Sequence, residues 1–184
     1  VGADPFVMSP KLWRRYKNVI EKAGHTLVSV SPNMVDSVWS NRPSLPRNEI
    51  YPLPLKFTGK DSSAKLQDIR NELKIIGSDE DSNPDVLLLS MLDEIAWLTN
   101  LRGSDIEYNP VFEAYAAIFS DRAICFCHHP EANLSQYCTD WDFRPYSEYQ
   151  SFLTKLAAQE NLKVWLETSS TTMGTLMAFS VSLV

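Results

Sequence analysis

Apolar positions recur at helical spacing near the start of the chain, then alternate between strand and helix signals. Leu12, Tyr16, Val19, Ile20 and Ala23 share one stripe, which predicts a helix. Ser9 can cap it, Pro10 suits its first turn because it has no amide hydrogen to orphan, and Gly24 suits its stop. A short strand over Thr26 to Val30 follows. Residues 40–54 hold Pro43, Pro46, Pro52 and Pro54, which forbid regular hydrogen bonding and mark the best linker or domain boundary. Beyond it, Leu53 to Phe57 reads as extended. Asp61 to Ile76 reads as a helix with Leu66, Ile69, Leu73 and Ile76 on one face and Gly77 behind. Val86 to Leu89 is a continuous apolar run, as expected of a strand covered on both faces. Ser90 with Asp93 forms a weaker capping box for a short helix. Val111 to Phe119 and Ala123 to Cys127 flank Ser120-Asp121-Arg122 as a hairpin. Ser147 and Gln150 open a helix carrying Tyr149, Phe152, Leu153 and Leu156 inward, and Val164 to Leu166 is a last strand. Elements alternating this way predict an α/β fold, a mixed sheet flanked by helices.

Composition narrows the function classes. With 184 residues, 44% of them hydrophobic and 11% aromatic, the chain can build a core. A net charge of −6 argues against a nucleic-acid partner, which needs clustered Lys and Arg. No apolar run is long enough to span a bilayer, so no membrane partner is expected. The start, Val1-Gly-Ala-Asp-Pro5, carries neither a signal-peptide pattern nor an initiator Met, which points to an excised segment. Three cysteines do not make a disulfide framework, and a reducing compartment is expected.

Two clusters could carry chemistry. Cys125, Cys127, His128 and Cys138 are ligand types that zinc prefers, which would make an independent zinc-binding or protein-interaction module. The spacing departs from zinc knuckles, however, and Cys125 and Cys127 on one strand point to one face, as buried core thiols do. The acidic stretch Ser78 to Pro84 lacks the glycine and distal glutamate of a calcium loop. No phosphate loop, nucleophile elbow or His-Glu-x-x-His helix is present. The second cluster is Arg102, Gly103, Ser104, Asp105 and Asn109 on a short connection after Leu92 to Asn100. Loops on rigid elements often bind. In the alternative, Arg102 pairs with Asp105 or a helix end, and Asp105 and Asn109 satisfy turn amides. Gly103 permits a tight turn or a positive φ.

The stretch Leu92-Asp-Glu-Ile-Ala-Trp-Leu-Thr-Asn-Leu-Arg-Gly-Ser-Asp-Ile106, followed by Tyr108-Asn-Pro-Val-Phe112 and Tyr115-Ala116, closely resembles the non-catalytic signature of three-domain aminopeptidase P. Val1 to Pro5, the Trp13 helix ending Ala23-Gly-His25, Asn33 to Trp39 with Arg42-Pro43, Tyr51 to Gly59, Lys65 to Arg70 and Lys163-Val-Trp165 match as well. Residues 71–83, 128–142 and 171–184 do not follow the pattern. The resemblance implies a creatinase N-terminal-domain-like fold, with 1–46 as the end of a first such domain and 47–184 as the second. It implies a parent enzyme, a cytoplasmic Xaa-Pro aminopeptidase that releases the first residue of peptides with proline at position two. A pita-bread catalytic domain, absent here, would hold two divalent metals, in that family usually manganese. No catalytic residue, metal ligand or cofactor is carried over onto this chain, which is expected to be inactive alone. The resemblance makes Arg102, Gly103, Ser104, Asp105 and Asn109 candidates for a loop at the substrate cleft or catalytic-domain interface. The implied partners are that catalytic domain, peptide substrates of the parent, and a second copy in a homodimer.

Overall fold

In the computed structural model, residues 1–76, 83–129 and 133–179 are described. The elements in chain order are β1 (Gly2–Ala3), α1 (Pro10–Lys22), β2 (Val28–Ser29), α2 (Met34–Val38), β3 (Tyr51–Pro52), α3 (Leu55–Thr58), α4 (Ser62–Ile76), β4 (Val86–Leu89), α5 (Leu92–Thr99), β5 (Leu101–Arg102), β6 (Ala114–Phe119), β7 (Ala123–Cys127), β8 (Trp141–Pro145), α6 (Tyr149–Ala157), β9 (Val164–Leu166) and α7 (Met173–Ala178). They divide into two units, Val1–Leu45 with the chain from Glu167 onward, and Pro46–Leu166. From Glu167 the described chain groups with the N-terminal unit, where Met173 N donates to Met8 O at 2.7 Å.

The second unit is built on a five-stranded sheet in the order β8-β7-β6-β4-β9. β6 is antiparallel to β4 and β7, while β7–β8 and β4–β9 are parallel, so the sheet is mixed. Alternation sends Ala114, Ala116, Ile118, Ala123, Cys125, Cys127 and Trp141 to one face, where they pack with Leu66 of α4 and Ile95, Ala96 and Leu98 of α5. On the other face Tyr115 stacks on Tyr149 of α6 at 3.9 Å, and Phe119 and Phe126 meet Phe152. The result is helices on both faces of the sheet, as the pattern of apolar positions predicts.

Several local expectations are corrected. Leu53 to Phe57 is not extended throughout: Pro54 starts the α3 turn, and only Tyr51–Pro52 pairs, antiparallel to Leu101–Arg102. α5 begins after Met91 without a side-chain cap, so Ser90 is not its cap, and Asp93 Oδ1 accepts Glu94 N instead. α6 likewise begins after Glu148 with no capping side chain from Ser147. β6 starts at Ala114 rather than Val111, because Val111 to Glu113 is taken up by a turn described below. β8 was not foreseen, although Trp141 is buried and Phe143 packs against the core while Asp142 and Arg144 pair with each other at 2.6 Å in the alternation of an edge strand. Gly77 and most of the acidic stretch lie outside the described residues.

In the first unit, β1 pairs parallel with β2. Ser9 Oγ accepts Leu12 N at 3.3 Å at the start of α1. At its end Gly24 (φ 77°) allows His25 N to reach Ile20 O and Gly24 N to reach Glu21 O, the 6→1 and 5→2 pair expected of a glycine stop. The predicted stripe is corrected: Leu12, Tyr16 and Val19 are 36%, 47% and 62% exposed. The buried side is that of Pro10 and Trp13, because the larger indole packs with Leu27 and Met173.

Candidate functional site

The candidate loop leaves the C-terminus of α5. A helix end leaves carbonyls without intrahelical partners, and here the end is buried, so each needs a donor. Side chains supply them. Arg102 Nη1 donates to Ala96 O, and Lys65 Nζ to Trp97 O at 2.8 Å. Ser62 Oγ donates to Leu98 O at 2.8 Å, and Cys138 Sγ to Thr99 O at 2.9 Å. Trp141 Nε1 in turn donates to Ser62 Oγ at 2.9 Å. Two cations at a helix C-terminus also complement its dipole. Lys65 is only 3% exposed, sits 4.5 Å from the Trp97 ring centroid and donates to Asn100 Oδ1 at 2.6 Å. Burial first, and the Arg102 charge second, hold its ammonium below the ordinary lysine range. Asn100 ends the helix in the left-handed region (φ 59°).

From Leu101 the chain pairs with Tyr51–Pro52, and Leu53 N donates to Asn100 O at 2.8 Å. The later part of the proline-rich stretch is thus tied into the second unit. Gly103 then passes Phe112 closely: a Cβ there would lie 2.7 Å from Phe112 Cβ and 3.1 Å from Val111 O. Close approach, not positive φ, is what this glycine provides. Asp105 is the organising group. Its Oδ1 accepts Asn48 N at 3.0 Å and its Oδ2 accepts Glu113 N at 2.9 Å, while Ser104 O accepts Asn48 Nδ2 at 2.8 Å. Asp105 N donates to Val111 O at 3.1 Å, Asn109 N to Ile106 O at 3.1 Å, and Val111 N to Asn109 O at 2.8 Å. At the tip, Tyr108 adopts φ 63° and is 95% exposed.

The five predicted residues lie on one connection, which Arg102 and Asp105 hold with their side chains and Ser104 and Asn109 with backbone groups. Arg102 pairs with a helix end and Asp105 with turn amides. Residues that sequence reading missed complete the arrangement: Asn48, Ser62, Lys65 and Cys138. An Asn directly after Leu92 to Thr99 was a readable helix stop, but nothing in the sequence places Lys65 or Cys138 at that stop.

The cysteine cluster is differently arranged from a metal cage. Cys125, Cys127 and Cys138 are buried thiols outside any disulfide. A hydrogen bond with Cys127 and burial push the Cys125 thiol well up. His128 faces the other way, 2.9 Å from Glu113 Oε2 and stacked on Tyr146 at 4.4 Å. Burial, with Tyr115 and Glu113 alongside, raises the Tyr146 phenol far above its usual range. Among the described residues no group of three or more His, Cys, Asp or Glu could hold a metal ion. The described residues do not fit a divalent metal pair.

Comparisons with known proteins place the chain. A relative from Botryotinia fuckeliana, described as "Probable Xaa-Pro aminopeptidase P", is 45% identical over 141 residues, which is 76% of this chain and 20% of that protein. One of the same description from Colletotrichum graminicola is 44% identical over 128 residues, 68% of this chain and 20% of its own length. The chain thus spans about a fifth of the curated relatives it matches. Among solved structures, the X-prolyl aminopeptidase from Caenorhabditis elegans, described as a cytosolic enzyme with a di-nuclear active site, superposes with a TM-score of 0.78. It is 26% identical, with 95% of this chain and 29% of that one covered. The family model for the Creatinase/Prolidase N-terminal domain matches residues 41–182. On this sequence match and the mixed sheet that carries it, the chain belongs to the creatinase/prolidase N-terminal domain family.

Proposed function

We propose that this chain is a non-catalytic part of an aminopeptidase P-like metallopeptidase, and that it shapes substrate access to a catalytic domain lying elsewhere in the longer protein. Residues 1–46 are the end of a first creatinase-like domain, and the sheet unit that follows is the body of the second. The whole enzyme removes the N-terminal residue from peptides with proline at position two, works in the cytoplasm and uses two divalent metals, manganese in the first instance. Its similarity to relatives described as Xaa-Pro aminopeptidase P supports that reaction, and the neighbour's description supports the metals and the compartment.

One observation carries the access role. The connection from Leu101 to Glu113 is clamped on both sides by Asp105, which joins Asn48 to Glu113, so it is a rigid rim and not a loose loop. A rigid rim can admit an extended peptide terminus and exclude wider chains, so that only aligned substrates reach the metals. The test compares the full-length enzyme with its Asp105→Ala variant on short and long Xaa-Pro peptides. The variant is expected to lose discrimination by peptide length. Equal kcat/KM ratios in the two enzymes would remove the access role.

Assembly is a second reading. α1 exposes Leu12, Tyr16 and Val19 on one side, which suits burial against another chain or domain. Light scattering on this chain tests it: a strict monomer removes a homodimer through this region.

A further inference from the structure

The Arg102 and Asp105 side chains are spent on holding the candidate connection, and its tip presents a ring outward. Tyr108 is 95% exposed, with Ile106 beside it at 37%. It also adopts φ 63°, a conformation that costs a bulky residue energy and that asparagine or glycine would adopt more easily. The strain is imposed by hydrogen bonds on either side, from Asn109 N to Ile106 O and from Asp105 N to Val111 O. The pieces that fix it are themselves anchored, Asp105 to two backbone amides and Gly103 against Phe112. A strained, fully exposed aromatic on an over-determined turn is the kind of feature retained for contact and not for folding.

We infer that Tyr108 is a docking anchor that inserts into the catalytic part of the longer enzyme. The tip is convex, a knob and not a groove, so it suits a concave protein surface better than a peptide chain that needs walls around it. A lone buried Tyr ringed by polar groups is a common energetic centre of protein interfaces. Glu107 and Asn109 flank it here. The catalytic part is the committed occupant because this chain covers only a fifth of its relatives' length. The inference rests on the proposal that the chain works as part of a longer metallopeptidase.

The experiment places p-benzoylphenylalanine at position 108 of the full-length enzyme, irradiates it and identifies the cross-linked peptide by mass spectrometry. The expected product joins position 108 to a peptide of the metal-binding part. A cross-link to another copy, to added Xaa-Pro peptide or to residues within 1–184 overturns the inference, as does none at all. A second variant guards against misfolding. Tyr108→Asn relieves the backbone, so the melting temperature of the 184-residue chain should stay equal or rise by about 1–4 °C. In the full-length enzyme the same change should expose the junction between the parts to limited proteolysis several-fold faster. Wild-type protection there also overturns the inference. The two proposals fail separately: a cross-link to the metal-binding part with unaltered length discrimination in Asp105→Ala leaves the docking and removes only the access role.

Discussion

Lys65 and Arg102 direct two cations at successive carbonyls of one helix end, Lys65 Nζ to Trp97 O and Arg102 Nη1 to Ala96 O. Side by side they are like charges, and the Arg102 charge contributes to lowering the Lys65 proton affinity. What keeps them together is the buried helix end, where Ala96 O takes the guanidinium and Trp97 O takes the ammonium beside a longer bond from Asn100 N.

Arg102→Ala should therefore act on stability before it acts on any substrate. It leaves Ala96 O without this donor in a partly buried place, a loss of about 1–3 kcal/mol. Urea denaturation of this chain measures it. A wild-type midpoint for the variant would show that the helix end does not need the guanidinium.

Asp105→Asn tests the clamp. The amide keeps one acceptor but turns a donor toward a backbone N–H, so either Asn48 N or Glu113 N is orphaned. The expected cost is about 1–3 kcal/mol. Amide hydrogen exchange should quicken at Asn48 or Glu113 before it does in β6 and β7. Uniform acceleration across the sheet would place the effect elsewhere.

Gly103→Ala puts a methyl group 2.7 Å from Phe112 Cβ, against a fully buried side chain. Overpacking of this kind typically costs about 1–3 kcal/mol. A melting temperature equal to that of the parent chain would contradict the close approach.

Alkaline pH should weaken the fold through Cys138. Burial raises its thiol from 9.0 to about 11, although the Ser62 hydroxyl pulls slightly the other way. The unfolded thiol loses its proton near 9 and the folded one near 11, so the unfolded chain binds fewer protons across that window. Stability is full below 9 and falls as pH rises to 11, by roughly 3 kcal/mol. Cys125 and Tyr146, both raised, act in the same sense, and the lowered Lys65 acts in the opposite one. Comparing urea midpoints at pH 8.5 and 11 for the parent and for Cys138→Ala isolates the Cys138 share. Equal slopes in both would refute it.

Local pattern carried far where neighbours in sequence decide the outcome. Ser9, Pro10 and Gly24 announce α1, and the apolar runs around Ser120 to Arg122 announce the β6–β7 hairpin, because caps and tight turns are settled within a few residues. Alternation along Ala123 to Cys127 put both cysteines on the core side for the same reason. The family signature around Leu92 to Phe112 was legible as a string of residues, but what each one does there was not.

Those roles depend on groups distant in the chain. Ser62, Lys65, Arg102 and Cys138 meet at one helix end only because α4, α5 and the stretch before β8 pack together, and orphaned carbonyls draw whichever donors the packing brings. Which side of α1 is buried was decided likewise by Trp13 against Leu27 and Met173. Sequence alone determined the class of fold, the hairpin and the family; tertiary structure decided that the candidate connection is a clamped turn with one exposed ring, since hydrogen bonds between residues more than fifty positions apart leave no periodic trace along the chain.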